Sequence, residues 1–236
     1  MEPLKIVISQ PRYLPALNYL QRLFFADEFV ILDVVQRQAR GWENRNKLLL
    51  SEPTWLTVPV ASSSRSLIVD TLIDGRFWVT EHKKKISQHY GKAPFFSEML
   101  LNEAYALNEG SNRYADVLVA MLRNVCRLLS FEPNLVYASD LLRPEDFACG
   151  GVETLRALSE RVGADAYVSG PNGRNYGVVE GFAGSGIDVL FHEFQHPVYE
   201  QRDRPFVPYM GYLDALFFCG VEWLSGFIRS APDLRG

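Results

Sequence analysis

The chain has 236 residues, 47% of them hydrophobic and 13% aromatic, enough to bury a large core without disulfide or metal staples. Its 24 basic and 28 acidic side chains leave a formal charge of -4, which excludes a surface built throughout to neutralise nucleic acid or an anionic bilayer. Any anion site must therefore be local.

The 3 cysteines, Cys126, Cys149 and Cys219, are far apart and odd in number, and suggest neither a disulfide framework nor a thiolate zinc site. The chain does not open on a basic segment followed by an apolar one, and no run reaches the roughly 18 apolar residues of a membrane span. The expectation is a soluble, cytoplasmic protein that binds neither nucleic acid nor membrane.

The first predicted element is Ile6-Val7-Ile8, a β-branched run bounded by polar residues and proline, as in a buried strand of a parallel sheet. Pro11 turns the chain. Pro15 suits the first turn of a helix, where its missing N–H would be unpaired anyway, and Leu17, Leu20, Phe24 and Phe25 recur at helical spacing. Phe29 to Leu32 predicts a second buried strand, so residues 5 to 35 form a strand–loop–helix–strand unit with a right-handed crossover. Such units take ligands at the carboxyl ends of their strands, which places Ser9, Gln10, Arg12 and Tyr13 beside Asp33 and Gln36.

WENRNKLLL from Trp42 and TWLTVPV from Thr54 read as extended segments of that same sheet, Ser62 to Ser64 as a loop, and Trp78 to Tyr90 as a helix. Ser111 is the expected N-cap of a strong helix on which Tyr114, Leu118, Met121, Leu122, Val125 and Leu129 share a face. Leu135 to Ala138 predicts a strand, Val152 to Gly163 a helix ended by a left-handed glycine, and Ala166 to Val168 a strand followed by the loop SGPNGRNYG. Ile187 to Phe191 reads as the last strand, His192 to Tyr209 as irregular, and Tyr212 to Phe218 as the closing helix. The class is α/β: a mainly parallel, Rossmann-like sheet flanked by helices, with a helical middle segment. One domain is expected over residues 1–236, with an N-terminal βαβ unit in 1–75, a helical segment in 76–131 and a C-terminal αβ part in 132–236.

For SQPRYLP two readings stand. It is a structural corner in which Gln10 ties down backbone, or an anion site in which free N–H groups at a helix start join a bidentate Arg12. The glycines of a dinucleotide loop or P-loop are missing, so no cofactor is expected. In WENRNK, extended geometry puts Asn44 and Asn46 on one face and Arg45 on the other. Only one of the two sets can face a given pocket: the asparagines would read a ligand's polar edge, or Arg45 would instead pair with Asp33, or the segment is a solvated turn.

His192 and His196 in HEFQH have the spacing of the metalloprotease helix, but the segment continues a β pattern and meets Pro197. No metal site is expected there, and His196 reads as an acid/base or hydrogen-bonding group. His82 and His89 are two helical turns apart, too far to share one metal. Cys126 reads as core, while Cys149 and Cys219, each before glycine, could be nucleophiles. Lys83-Lys84-Lys85 is a wet helix face or a docking patch for phosphate or an acidic carrier protein.

Taken in order, ISQPRYLP, ADEFVILDVVQ, WENRN, WLTVPV, EHKKKISQHYGKAPFF, VGADAYVSG, GIDVLFHEFQHPVYEQ and FVPYMGYLDALFFCG resemble the WbqC-like protein family over nearly the whole chain. The resemblance implies a place in surface-polysaccharide or specialised-metabolite assembly rather than a particular reaction. This chain departs from the family pattern at Ser9, where many members have histidine before the Gln-Pro pair, and at Gly211, where serine precedes the late Leu-Asp motif. Matching positions are Gln10, Pro11, Asp33, Gln36, Asn44, Arg45, Asn46, His82, Tyr90, His196, Tyr199 and Gln201. With Arg12 and Tyr13 they make up the candidate site.

The expected activity is transfer of an acyl or aminoacyl group, from a donor such as a carrier-bound thioester, to an amine on a small-molecule substrate. His196 or His82 would be the base, Asp33 would orient it, and Gln10 with Asn44 or Asn46 would polarise the carbonyl. The rivals are nucleotidyl transfer or ATP-dependent activation, with Arg12 and Arg45 on phosphates, and a non-catalytic scaffold that only binds ligand. The aromatic stretch from Phe206 to Trp223 would suit a homodimer contact, a lid or ordinary core.

Overall fold

A computed structural model describes residues 2–38, 40–61, 65–107, 110–146, 151–202, 204–230 and 232–236. The loop expected at Ser62 to Ser64, and Cys149, lie outside the described residues.

The main sheet contains β1 (Lys5–Ser9), β2 (Glu28–Ile31), β5 (Leu135–Tyr137), β6 (Ala166–Ser169), β7 (Asp188–His192) and β8 (Leu234–Arg235), in the order β5-β2-β1-β6-β7-β8. Every pairing is parallel except β7 with β8. The chain passes from β1 to β2 on one side and places β6 on the other, so strand order reverses between β1 and β6. Side chains alternate between the faces as strand geometry requires. Val7, Phe29, Ile31 and Val168 pack with α1 (Leu17–Phe25), α4 (Tyr114–Leu128) and α8 (Tyr212–Arg229). Ile6, Ile8, Val30 and Tyr167 meet α5 (Ala138–Leu141), α6 (Gly151–Val162) and α7 (Val178–Phe182). Helices α2 (Phe77–Tyr90) and α3 (Glu98–Ala104) complete the helical middle segment.

Several expectations need correction. β3 (Arg45–Leu49) and β4 (Pro53–Thr57) do not join the main sheet: they pair with each other, from Arg45 opposite Thr57 to Leu49 opposite Pro53. Alternation identifies a strand but not its partner, and a short connection lets two adjacent strands close on themselves. Ser111 lies too early to cap α4, which begins after Arg113. Its hydroxyl donates to Asp116 and accepts the N–H of Arg113, tying the lead-in loop instead. Phe191 does not end the last strand, because β8 adds an edge. The closing helix runs on to Arg229 through a kink at Gly220, where φ is 86°. Among the described residues no helix is long and apolar enough to cross a membrane.

Candidate functional site

A cleft of about 760 Å³ opens at the carboxyl ends of β1 and β6, where the strand order reverses. Open parallel sheets bind ligands at this place because the chain departs in opposite directions and leaves a crevice. Arg12 enters from the loop after β1, and Asn18 and Arg22 from α1, one helical turn apart. Ser169 ends β6, Gly170 and Gly173 follow it, and Gly151, Val152 and Thr154 come from the first turn of α6. His192, at the end of β7, and Trp42, Tyr176 and Tyr209 also line it.

The sequence explains how Arg22 reaches this position. Leu17, Leu20 and Leu23 bury the apolar side of α1, so Asn18 and Arg22 share the side facing the cleft. A Cβ on Gly170 would stand 3.2 Å from Nη1 of Arg22, so the absent side chain lets the guanidinium lie against the loop backbone. Burial, with Arg12 adding to it, pushes the Arg22 pKa down to about 10. Arg12 rests on the Tyr19 ring at 5.5 Å. Neither arginine has an ion-pair partner within 4.0 Å among the described residues, whereas Arg174 is held by Glu193 at 2.6 Å. The Oδ1 atom of Asn18 is buried and has no hydrogen-bond partner among the described residues. The cleft thus presents two cations and the N-terminal turn of a helix, a combination suited to an anion.

Of the candidates named from the sequence, Arg12 alone lines the cleft. Tyr13 turns inward, where its hydroxyl meets Nδ1 of His82 at 2.7 Å and the Tyr105 hydroxyl at 2.5 Å. His82 is buried there beside Trp78, and burial, with Lys85 contributing, pushes its pKa down to about 4. It lies outside the cleft lining and its Nδ1 is engaged by the Tyr13 hydroxyl, so it is a core group rather than a base for a substrate held there. Asp33 is fully buried and accepts from the N–H and O–H of Ser139 at 3.0 and 2.7 Å. Burial raises its pKa against those bonds. It makes no pair with Arg45, whose guanidinium lies 4.2 Å from the Trp55 ring centroid and donates to the Arg40 carbonyl.

Asn44 and Asn46 do point inward, but they donate to the carbonyls of Val58 and Leu14 at 3.0 and 2.6 Å and hold backbone rather than ligand. The Gln10 carbonyl accepts from the Tyr19 hydroxyl at 3.1 Å, and Gln36 is exposed in a bridge to Leu67. Tyr90, Tyr199 and Gln201 do converge, on a residue outside the candidate set: they donate to the buried Asp214 carboxylate at 2.6, 2.8 and 2.6 Å. His196 has both ring nitrogens engaged, with Nδ1–H on the Pro197 carbonyl at 2.8 Å and Nε2 accepting the N–H of Tyr209 at 3.0 Å. No lone pair remains for a substrate proton. HEFQH is not helical: His192 ends β7 and His196 lies in the irregular segment after it, with the Phe194 ring between them. Burial raises the thiol pKa of Cys126 to about 12 and of Cys219 to about 11, which disfavours the nucleophilic thiolate at either position.

Asn18, Arg22, Ser169 and His192 were missed. Part of the signal was present: SGPNG follows a parallel strand just as SQPR does, and Asn18 and Arg22 have the spacing of one helix face. Glu43 was also missed. Its Oε2 has no partner among the described residues, and burial raises its pKa while Arg12 and Arg37 oppose the rise.

The model of the WbqC-like protein family matches residues 10–225. An uncharacterized protein of Mycobacterium tuberculosis (strain ATCC 25618 / H37Rv), Rv1507c, is 32% identical over 224 residues, spanning 92% of this chain and 95% of the relative. No solved structure matches.

Proposed function

Because this chain belongs to the WbqC-like protein family, we propose that it serves surface-polysaccharide or specialised-metabolite assembly. In this reading it holds a phosphate-bearing substrate in the cleft while an acyl or aminoacyl group passes to an amine. The observation that carries the reading is the pair Arg12 and Arg22, two cations in one cleft with no ion-pair partner among the described residues. Guanidinium forks match phosphate oxygens bidentately, and a bound anion relieves the repulsion between the two. Another part of the wall, Leu32, Val35, Val152, Leu155 and Val178, is aliphatic and suits an acyl chain or the arm of a carrier-bound thioester.

The donor is then a thioester on an acidic carrier protein, and the acceptor a small-molecule amine such as an amino sugar nucleotide. The amine nitrogen attacks the thioester carbonyl carbon, and the new C–N bond replaces the C–S bond. Sulfur leaves with the electron pair and takes up the proton that nitrogen loses.

A second reading, nucleotidyl transfer, is favoured by the cleft's position at the strand-order reversal beside the start of α6. One experiment separates them. The purified protein is screened by thermal shift against amino sugar nucleotides, pantetheine thioesters, and ATP or CTP with magnesium, and mixtures of stabilising ligands are followed by mass spectrometry. The first reading predicts a shift with a thioester or amino sugar nucleotide and an amide product. Release of pyrophosphate from ATP or CTP would transfer support to the second, and tight binding without any product would favour a scaffold.

A further inference from the structure

His192 ends β7, lines the cleft and is 1% exposed. Its Nε2 lies 2.8 Å from Oε1 of Gln21 on α1. The direction of that hydrogen bond is set from the far end of a chain. The Ser230 hydroxyl donates to the Phe227 carbonyl at 2.6 Å, so its oxygen is left to accept. The amide nitrogen of Gln21 donates to that oxygen at 3.1 Å, which turns the amide oxygen toward His192. An amide oxygen only accepts, so Nε2 carries the proton and Nδ1 keeps the lone pair. Nδ1 has no partner among the described residues. Phe25 and Phe194 meet the ring edge-on at 5.3 and 5.8 Å and hold its plane.

We infer that His192, through Nδ1, is the proton acceptor of this cleft and that Gln21 is the residue that positions it. The inference rests on the reading of the cleft as the working site. As the amine attacks the thioester, its proton passes to Nδ1, and the imidazolium returns that proton to the departing sulfur, so His192 ends the cycle neutral. In the free protein the imidazole is kept neutral: burial, then Arg22, pushes its pKa down to about 4 against the pull of Glu193 and Asp233. Arg12 adds positive charge to the same cleft. A phosphate group on Arg12 and Arg22 offsets the charge that opposes the imidazolium, so ligand binding makes His192 more basic when a base is needed.

Nitrogen-15 NMR of the 4 imidazoles in the chain, assigned with His192→Gln and titrated with and without inorganic pyrophosphate, tests this. The expected result is an Nε2–H tautomer at His192 in the free protein and a pKa that rises by about one unit on saturation with pyrophosphate. Gln21→Leu should mix the tautomers while pyrophosphate affinity by calorimetry stays within about twofold. The wild-type tautomer decides the matter even if that variant fails to fold. An Nδ1–H tautomer, or an unmoved pKa while pyrophosphate binds, overturns the inference alone. No pyrophosphate binding at all overturns the reading of the cleft, and the inference with it.

Discussion

Asp214 is a residue whose surroundings explain several family-matching positions. Fully buried in the first turn of α8, it accepts from Tyr90, Tyr199 and Gln201. Tyr90 in turn takes the N–H of Leu49 from β3 at 2.8 Å. One carboxylate thus joins α2, α8, the hairpin and the segment after β7. Asp214→Ala would take the acceptor from the Tyr90 and Tyr199 hydroxyls and from one N–H of Gln201, whose amide keeps the Val207 carbonyl, and urea unfolding should show a loss of about 3–5 kcal/mol. Asp214→Asn, which keeps an acceptor oxygen, should lose less. The buried imidazoles give a pH effect of known sign. His82 and His192 have folded pKa values near 4 against an ordinary 6.5, so their contribution is present above pH 6.5 and is lost as the pH falls toward 4. Each amounts to on the order of 3 kcal/mol at the acid end. The raised carboxyls of Asp33, Glu43 and Asp214 act in the opposite direction. The measurement is therefore the difference in slope of melting temperature against pH between wild type and His192→Gln, with the variant shallower.

At the scale of elements, two glycines on α8 predict opposite outcomes. Gly220 sits at φ 86° in the kink, and a Cβ there would meet the Phe95 ring at 2.9 Å. Gly220→Ala should destabilise by roughly 1–3 kcal/mol. Gly226 has open space around its missing Cβ and lies in helical backbone, so Gly226→Ala should stabilise by about 0.5–1 kcal/mol in the same unfolding assay. These elements also show what the sequence makes legible. β1, β2 and β6 were readable because a strand buried on both faces needs a continuous β-branched or aromatic run. The hairpin β3–β4 was readable as strands but not as a separate sheet, since pairing depends on partners that alternation does not name. The sequence reading ends α8 at Phe218, just before Gly220, whereas the helix resumes beyond a kink at that glycine, which lies against the Phe95 ring. In the SQPRYLP loop the sequence placed Arg12 and Tyr13 together. Local geometry sends one ring into the core with His82 and the other side chain into the cleft.

At the scale of the whole molecule, a chain of net charge -4 concentrates positive charge where the sheet reverses its strand order. The Arg12 side of this cleft was legible, because a loop after a first parallel strand is a known ligand position. The Arg22 side was not, because its neighbours Gly170 and His192 arrive more than a hundred residues later in the chain. Which face of α1 looks onto the cleft follows only once β6 is placed beside β1. An anion is expected to bind between the two arginines, and saturating ligand at 100 times its dissociation constant should stabilise the fold by about 2.7 kcal/mol. Calorimetric titration of pyrophosphate into wild type, Arg12→Ala and Arg22→Ala tests this most directly. Binding by the wild type, weakened about tenfold or more in each variant through loss of a charged hydrogen bond, is the predicted result. Equal affinity in all three proteins, or no binding by the wild type, would contradict it.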